Sequence, residues 1–142
     1  MYYRAALPDH EFQEAFETCR LPNEFFHHRD HLRLAWIYLQ RYSVSDAAAR
    51  IAESICRYAA HHGKSDKYHE TVTFAWLRLV ADSADHTRAA NFDDLLAAAP
   101  ELLDKNTLHH YYSPELLASE AARAQFVPPD RMRLPDAITA AR

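Results

Sequence analysis

Histidine and carboxylate side chains crowd into two short stretches of this chain, FFHHRDHLRLAW (Phe25 to Trp36) and KYHETVTFAW (Lys67 to Trp76). Each stretch opens an apolar helical pattern. Its polar groups therefore lie on or beside faces otherwise built from Leu, Ala, Val and Trp. Polar groups turned toward a core cost free energy unless something satisfies them. A divalent transition metal is one such partner, and neutral imidazole is its commonest protein ligand.

Helix geometry decides which of these residues face inward. His31 falls about 20° from Tyr38, about 40° from Ala35 and about 60° from Leu34, at the centre of the core face. His28 lies about 60° to one side of it and His27 about 40° to the other. Residues three or four apart are neighbours on a helix surface, so either can pair with His31. His28 and His31 form the tighter pair toward Ala35 and Leu39, which leaves His27 to capping or to bonding loop backbone. In the second stretch His69 aligns with Val72, Thr73, Trp76 and Val80, and Glu70 with Phe74 and Leu77.

If the two helices pack side by side, His28, His31 and His69 meet near one end of a bundle. Glu70 is then a fourth metal ligand or a general base. Such a donor set suits Zn, Fe, Mn or Ni. The ion would act as a Lewis acid or activate a water molecule. Asp30, on the flank of the first stretch, could move a proton. Tyr112, in the aromatic loop His109 to Ser113, is a candidate proton donor. The order HExxH of zinc proteases is absent, as are the paired ExxH motifs of di-iron bundles. The structural reading has nearly equal weight, because histidines in a first helical turn often serve only the backbone around them.

Three functions follow as expectations. The leading one is a small metal-dependent enzyme acting on a small, partly apolar molecule by hydrolytic, lyase or oxygenase chemistry. The second is a metal-free acid–base enzyme in which His31 or His69 works beside Glu70. The third is a non-enzymatic helical protein that binds a ligand or a partner.

The elements that must position these residues are helical. Glycine occurs once, at Gly63, and Asn-Gly pairs are absent, so tight sheet hairpins lack their usual turn residues. Ala, Leu, Arg and Glu are abundant and favour helix. The spacing predicts an all-α, single-domain bundle of about five to six helices over 1–142. Helices are expected over about Asp9–Arg20, His27–Tyr42, Ser45–His62, Asp66–Asp82 and Phe92–Ala99, with another after Ser113-Pro114-Glu115. Ser45 and Asn91 are the expected N-caps of the third and fifth, and Gly63 the C-terminal cap of the third. Ser83–Ala90 reads as a polar connector. The proline-rich run VPPDRMRLPD makes 126–142 an extended C-terminal arm.

Bulk properties narrow the partners. The formal net charge is −4 and apolar residues make up 49%. That supports a core and offers no basic stripe for nucleic acid. No apolar run is long enough to cross a bilayer, and the first residues lack a signal-peptide core. A cytoplasmic protein with a small-molecule substrate is expected, and a homodimer is compatible with the apolar fourth helix. Cys19 and Cys56 read as reduced thiols, and His10 and His86 as surface residues.

The runs FFHHRDHLRLAWIYL, KYHETVTFAWLRLV and YYSPELLASEAARAQFVPPDRMRLP resemble a family of small bacterial all-helical proteins with an FxHxxHLxxAW … KYHET pattern. The resemblance spans Phe25 to Pro135. It implies that both clusters serve one site, made of His28, His31, His69 and Glu70, with Tyr112 and Ser113 later in the chain. It implies no particular reaction.

Overall fold

A computed structural model describes residues 7–135. It is all-α: among the described residues, helices and short 3-10 turns alternate with no strand. We number the α-helices α1 (Asp9–Glu17), α2 (His28–Arg41), α3 (Val44–His61), α4 (Glu70–Thr87), α5 (Phe92–Ala98), α6 (Pro114–Leu117) and α7 (Glu120–Ala124). Turns at Asn23–Phe25, Ser65–Lys67, Pro100–Leu103 and Lys105–His110 connect them.

The core is a triangle in which α2, α3 and α4 each pack on the other two. Helix α2 buries Leu32 and every residue from Arg33 to Leu39. Such all-round burial is what a central helix requires. Arg33 carries a charge, yet it is only 8% exposed. It spends its charge on Asp9 at 3.0 Å and on the Leu7 carbonyl at 2.6 Å. Helix α4 buries Ala75, Trp76, Leu77, Leu79, Val80 and Ala81. Each large apolar side chain buried this way contributes about 1.5–3 kcal/mol. Helix α1 lies against α2 and α3, and α7 lies against α4.

Helix boundaries depart from expectation where capping chemistry overrides pattern. The N-cap of α3 is Ser43, whose side chain accepts from Asp46 N–H; Ser45 lies inside the helix. Helix α4 starts at Glu70, because His69 adopts extended backbone and caps it, while Ser65–Lys67 forms a separate turn. The expected connector after Asp82 is helical to Thr87, held by the core-facing Ala84. Asn91 caps α5 as expected, accepting from Asp94 N–H. Past Ser113 the chain makes two short helices, because Ser119 caps a new one.

The single glycine ends α3. Gly63 has φ 69°, and the chain closes with Lys64 N–H on Ala59 O at 2.7 Å and Gly63 N–H on Ala60 O at 3.1 Å. This is the double bond pattern of a left-handed helix stop. It sends the backbone into the Lys64–Tyr68 segment that walls the candidate site. The arm over 126–135 is extended and tied down. Val127 N–H donates to Thr71 Oγ1 at 3.1 Å, and Arg131 N–H donates to Tyr111 O at 2.9 Å. The rest of the arm, 136–142, lies outside the described residues.

Candidate functional site

The two histidine clusters end up at the same end of the bundle, because α2 and α4 pack side by side with the clusters at their N-termini. His31 and His69 line one cavity of about 340 Å³, together with Phe26, Ile55, Tyr58 and Val72. His27, His28 and His31 line a wider groove with Trp76 and Leu108. The cavity and the groove share Phe26, His31, Lys67 and Val72, so His31 stands at their junction.

The individual rings are in very different states. His69 caps α4: its Nδ1 accepts from Val72 N–H at 3.2 Å. Its Nε2–H donates to the Leu117 carbonyl at 2.7 Å. Both nitrogens are spent, and the ring links α4 to α6. His28, half-buried, donates Nε2–H to the Leu102 carbonyl at 2.8 Å and sets its edge against Trp76, with ring centroids 4.5 Å apart. Burial lowers its pKa, opposed by the Leu102 bond.

His31 differs from both. Its Nε2 is buried and has no hydrogen-bond partner among the described residues. Burial, reinforced by the neighbouring His28, pushes its pKa down to about 4. The imidazole is therefore neutral near pH 7. Its ring stacks against Phe26, with centroids 6.3 Å apart. Phe26 in turn joins Phe16 at 5.0 Å and Tyr58 at 5.3 Å in an aromatic wall.

His27 and Asp30 do local work. His27 is the exposed N-cap residue of α2, and its backbone N–H donates to Asp30 Oδ2 at 2.9 Å. Asp30 is fully buried at the third helical position, where a carboxylate closes the turn and suits the helix dipole.

Glu70 does not line the cavity that His31 lines. Its carboxylate accepts from Tyr68 O–H at 2.5 Å. It lines a separate hollow with Ala48, Ala52, Phe74 and Phe126. Burial and that carboxylate raise the Tyr68 pKa well above a free phenol's. Tyr112 is fully buried and donates to the Val127 carbonyl at 2.8 Å. Burial pushes its pKa up to about 12. It fastens the arm, and it lines neither the cavity nor the groove.

The expected ligand set divides between hollows: His28, His31 and His69 line the joined cavity and groove, and Glu70 lines the other hollow. A ligating imidazole must offer a lone pair. His69 has none left, and Glu70 is engaged by Tyr68. Among the described residues, no three His, Cys, Asp or Glu side chains are grouped so as to hold a metal ion. The thiols do not replace them. Cys19 points its thiol at the Arg57 carbonyl at 3.9 Å, and burial raises the Cys56 pKa, away from the reactive thiolate.

Sequence reasoning misses the other half of the site. Lys64 and Lys67 line the cavity, and Lys67 and Lys105 line the groove. A signal for them exists in the composition: these are the chain's only three lysines, and two stand immediately before the second histidine cluster.

No family model, curated protein or solved structure matches the chain. Function is therefore to be read from the chemistry of the site itself.

Proposed function

We propose that this domain binds a small, partly apolar molecule in the cavity beside His31, without a metal, and that His31 meets a polar group of that molecule. The observation that carries the reading is that His31 lines the cavity while its buried Nε2 has no hydrogen-bond partner among the described residues. A buried polar atom left unsatisfied costs about 1–3 kcal/mol. Its neighbours His28 and His69 both have their Nε2 on a backbone carbonyl. The chain thus satisfies two of the three histidines and leaves the third open. Rotation of the ring about χ2 would turn Nε2 to a hydroxyl or N–H donor on the bound molecule. Phe26, Ile55, Tyr58, Ala59 and Val72 give much of the remaining wall an apolar or aromatic surface, as small-molecule sites usually have.

The geometry favours binding over turnover. General-base work is most efficient when the pKa lies near the working pH, and His31 is too weakly basic for that. Glu70, the expected proton partner, lines another hollow.

Nitrogen-detected NMR of the histidine rings tests this in chelator-treated protein. Titration with 3-phenylpropan-1-ol, which has an apolar body and one hydroxyl, is expected to shift the His31 ring nitrogens and leave those of His86, on the far end of α4, unchanged. Absence of a His31 shift, or a shift that appears only when Zn, Mn, Fe or Ni is added, would overturn the reading.

A further inference from the structure

Resting on the reading that the cavity binds a small molecule, we propose that its ligand is an organic anion. Its carboxylate or phosphate group is held by the lysines at the mouth, and its apolar body lies against Phe26, Ile55 and Val72. The chain contains three lysines, Lys64, Lys67 and Lys105. All three line this one region: Lys64 the cavity, Lys105 the groove, and Lys67 both. They reach it from two separate turns, the one before α4 and the one starting at Lys105. Arg29, which is paired with Asp93, also lines the groove; the remaining fixed positive charge of the chain is arginine as well.

Acidic side chains outnumber Lys and Arg by 20 to 16 in the whole chain. No Asp or Glu lines either the cavity or the groove. The other hollows of the molecule are not built this way. The one beyond Tyr68 holds Glu70. The one beside Arg33 holds Asp9 and Asp93, which neutralise Arg33 and Arg29 at 3.0 Å each. By contrast, all three lysines are exposed, and none forms an ion pair among the described residues. A cationic rim around a low-dielectric hollow concentrates anions. Lysine suits this task because its ammonium is a mobile point charge, which follows an anion without demanding one forked geometry.

The apolar half of the proposal comes from the same walls. Phe26, Ile55, Tyr58 and Val72 give the cavity a surface that a hydrated inorganic anion would not use. An ion with an organic body gains from both halves at once, because burial of its apolar surface adds to the charge contact. Lys67, present in both hollows, is the position where the anionic group is centred.

Isothermal titration with probes that share one apolar body tests the charge requirement: 3-phenylpropionate, 3-phenylpropan-1-ol, 3-phenylpropylammonium and 3-phenylpropyl phosphate, with inorganic phosphate alone as a further arm. The propionate is expected to bind at least about tenfold more tightly than the alcohol, the order one charged contact contributes. The ammonium is expected to bind more weakly than the alcohol. Lys67→Gln should remove most of the preference for the propionate, Lys67→Arg should keep it, and rising salt should shrink it. The two organic anions separate carboxylate from phosphate as the preferred group.

Equal affinity for propionate and alcohol overturns the anion proposal, and the broader reading still stands if the alcohol shifts the His31 ring. Unchanged selectivity in Lys67→Gln, or inorganic phosphate binding as tightly as the organic anions, also overturns the anion proposal. No binding of any probe overturns both. Lys67 is exposed and its side chain forms no ion pair among the described residues, so its variants are expected to fold; circular dichroism melting confirms this before titration.

Discussion

The His69 end of α4 and the His31 end of α2 are built from the same residue types at the same end of one bundle, and they do opposite things. His69 spends both ring nitrogens, one on the cap of its own helix and one on the Leu117 carbonyl. Its neighbour Glu70 is taken up by Tyr68. His31 lines a cavity and leaves its buried Nε2 with no hydrogen-bond partner among the described residues. The first arrangement is scaffold: one ring nitrogen caps α4 and the other ties α4 to α6. The second keeps a cost that packing alone would remove. A histidine near an apolar face is therefore informative only after its nitrogens are accounted for one by one.

The largest expected effect tests the scaffold half. His69→Ala removes an N-cap, worth about 1 kcal/mol, and leaves the Leu117 carbonyl without its donor, worth a further 1–3 kcal/mol or so. Urea denaturation should therefore show a loss of about 2–4 kcal/mol. His69→Asn, which keeps a capping acceptor but cannot reach Leu117, should lie between it and wild type. A His69→Ala protein as stable as wild type would break the comparison from this side.

The next effect concerns pH. The folded pKa of His31 is about 4 against an ordinary 6.5. Between those values the unfolded chain binds more protons than the folded one, so stability falls as pH falls through the window and is constant in this term above it. At about 1.4 kcal/mol per unit of pKa difference, the term reaches at most about 3.5 kcal/mol. His28, whose pKa is also lowered by burial, adds in the same direction. Stability measured from neutral pH down to about pH 4 should fall more steeply in wild type than in His31→Leu. Parallel curves would show that His31 is not held neutral by the fold.

Tyr112→Phe should cost about 1 kcal/mol by removing the bond to the Val127 carbonyl, and it should leave probe affinity unchanged. A variant with normal stability and lost binding would return Tyr112 to the site. The smallest expected effect is that of metal. A site-bound ion at a hundred times its Kd raises stability by about 2.7 kcal/mol. Zn, Mn, Fe and Ni are each expected to leave the melting temperature of tag-free protein unchanged. A rise of that order would restore the metal-centre expectation for His28 and His31.

Much of the fold is legible in the sequence because helical periodicity is strong. The apolar faces of α1 to α4, the cap at Asn91 and the stop at Gly63 all follow from spacing and residue type. The boundaries that differ do so for local reasons. Ser43 and Ser45 are equally good capping residues by type, and only the turn geometry after Tyr42 selects the first. His69 is an unusual cap, so the start of α4 is hidden. Ser83 to Thr87 reads as polar because only Ala84 of that turn faces the core. The site is half legible. Angular placement brings His28, His31 and His69 to one end, but it cannot show that two of them bond to carbonyls. Leu102 and Leu117 contribute those carbonyls through their backbone, which leaves no trace in residue type. The lysines went unread for a different reason: each is ordinary as an exposed side chain, and only their meeting around one cavity gives them meaning.

The central claim, that His31 is kept open for a ligand and not for stability, meets its most direct test in one variant measured twice. His31→Leu is expected to be as stable as wild type or up to about 1 kcal/mol more stable at neutral pH, because it deletes an unsatisfied buried nitrogen. It is expected at the same time to lose most of its affinity for 3-phenylpropan-1-ol. A variant that is destabilised by 2 kcal/mol or so, as core truncations commonly are, yet binds the alcohol as wild type does would contradict the account.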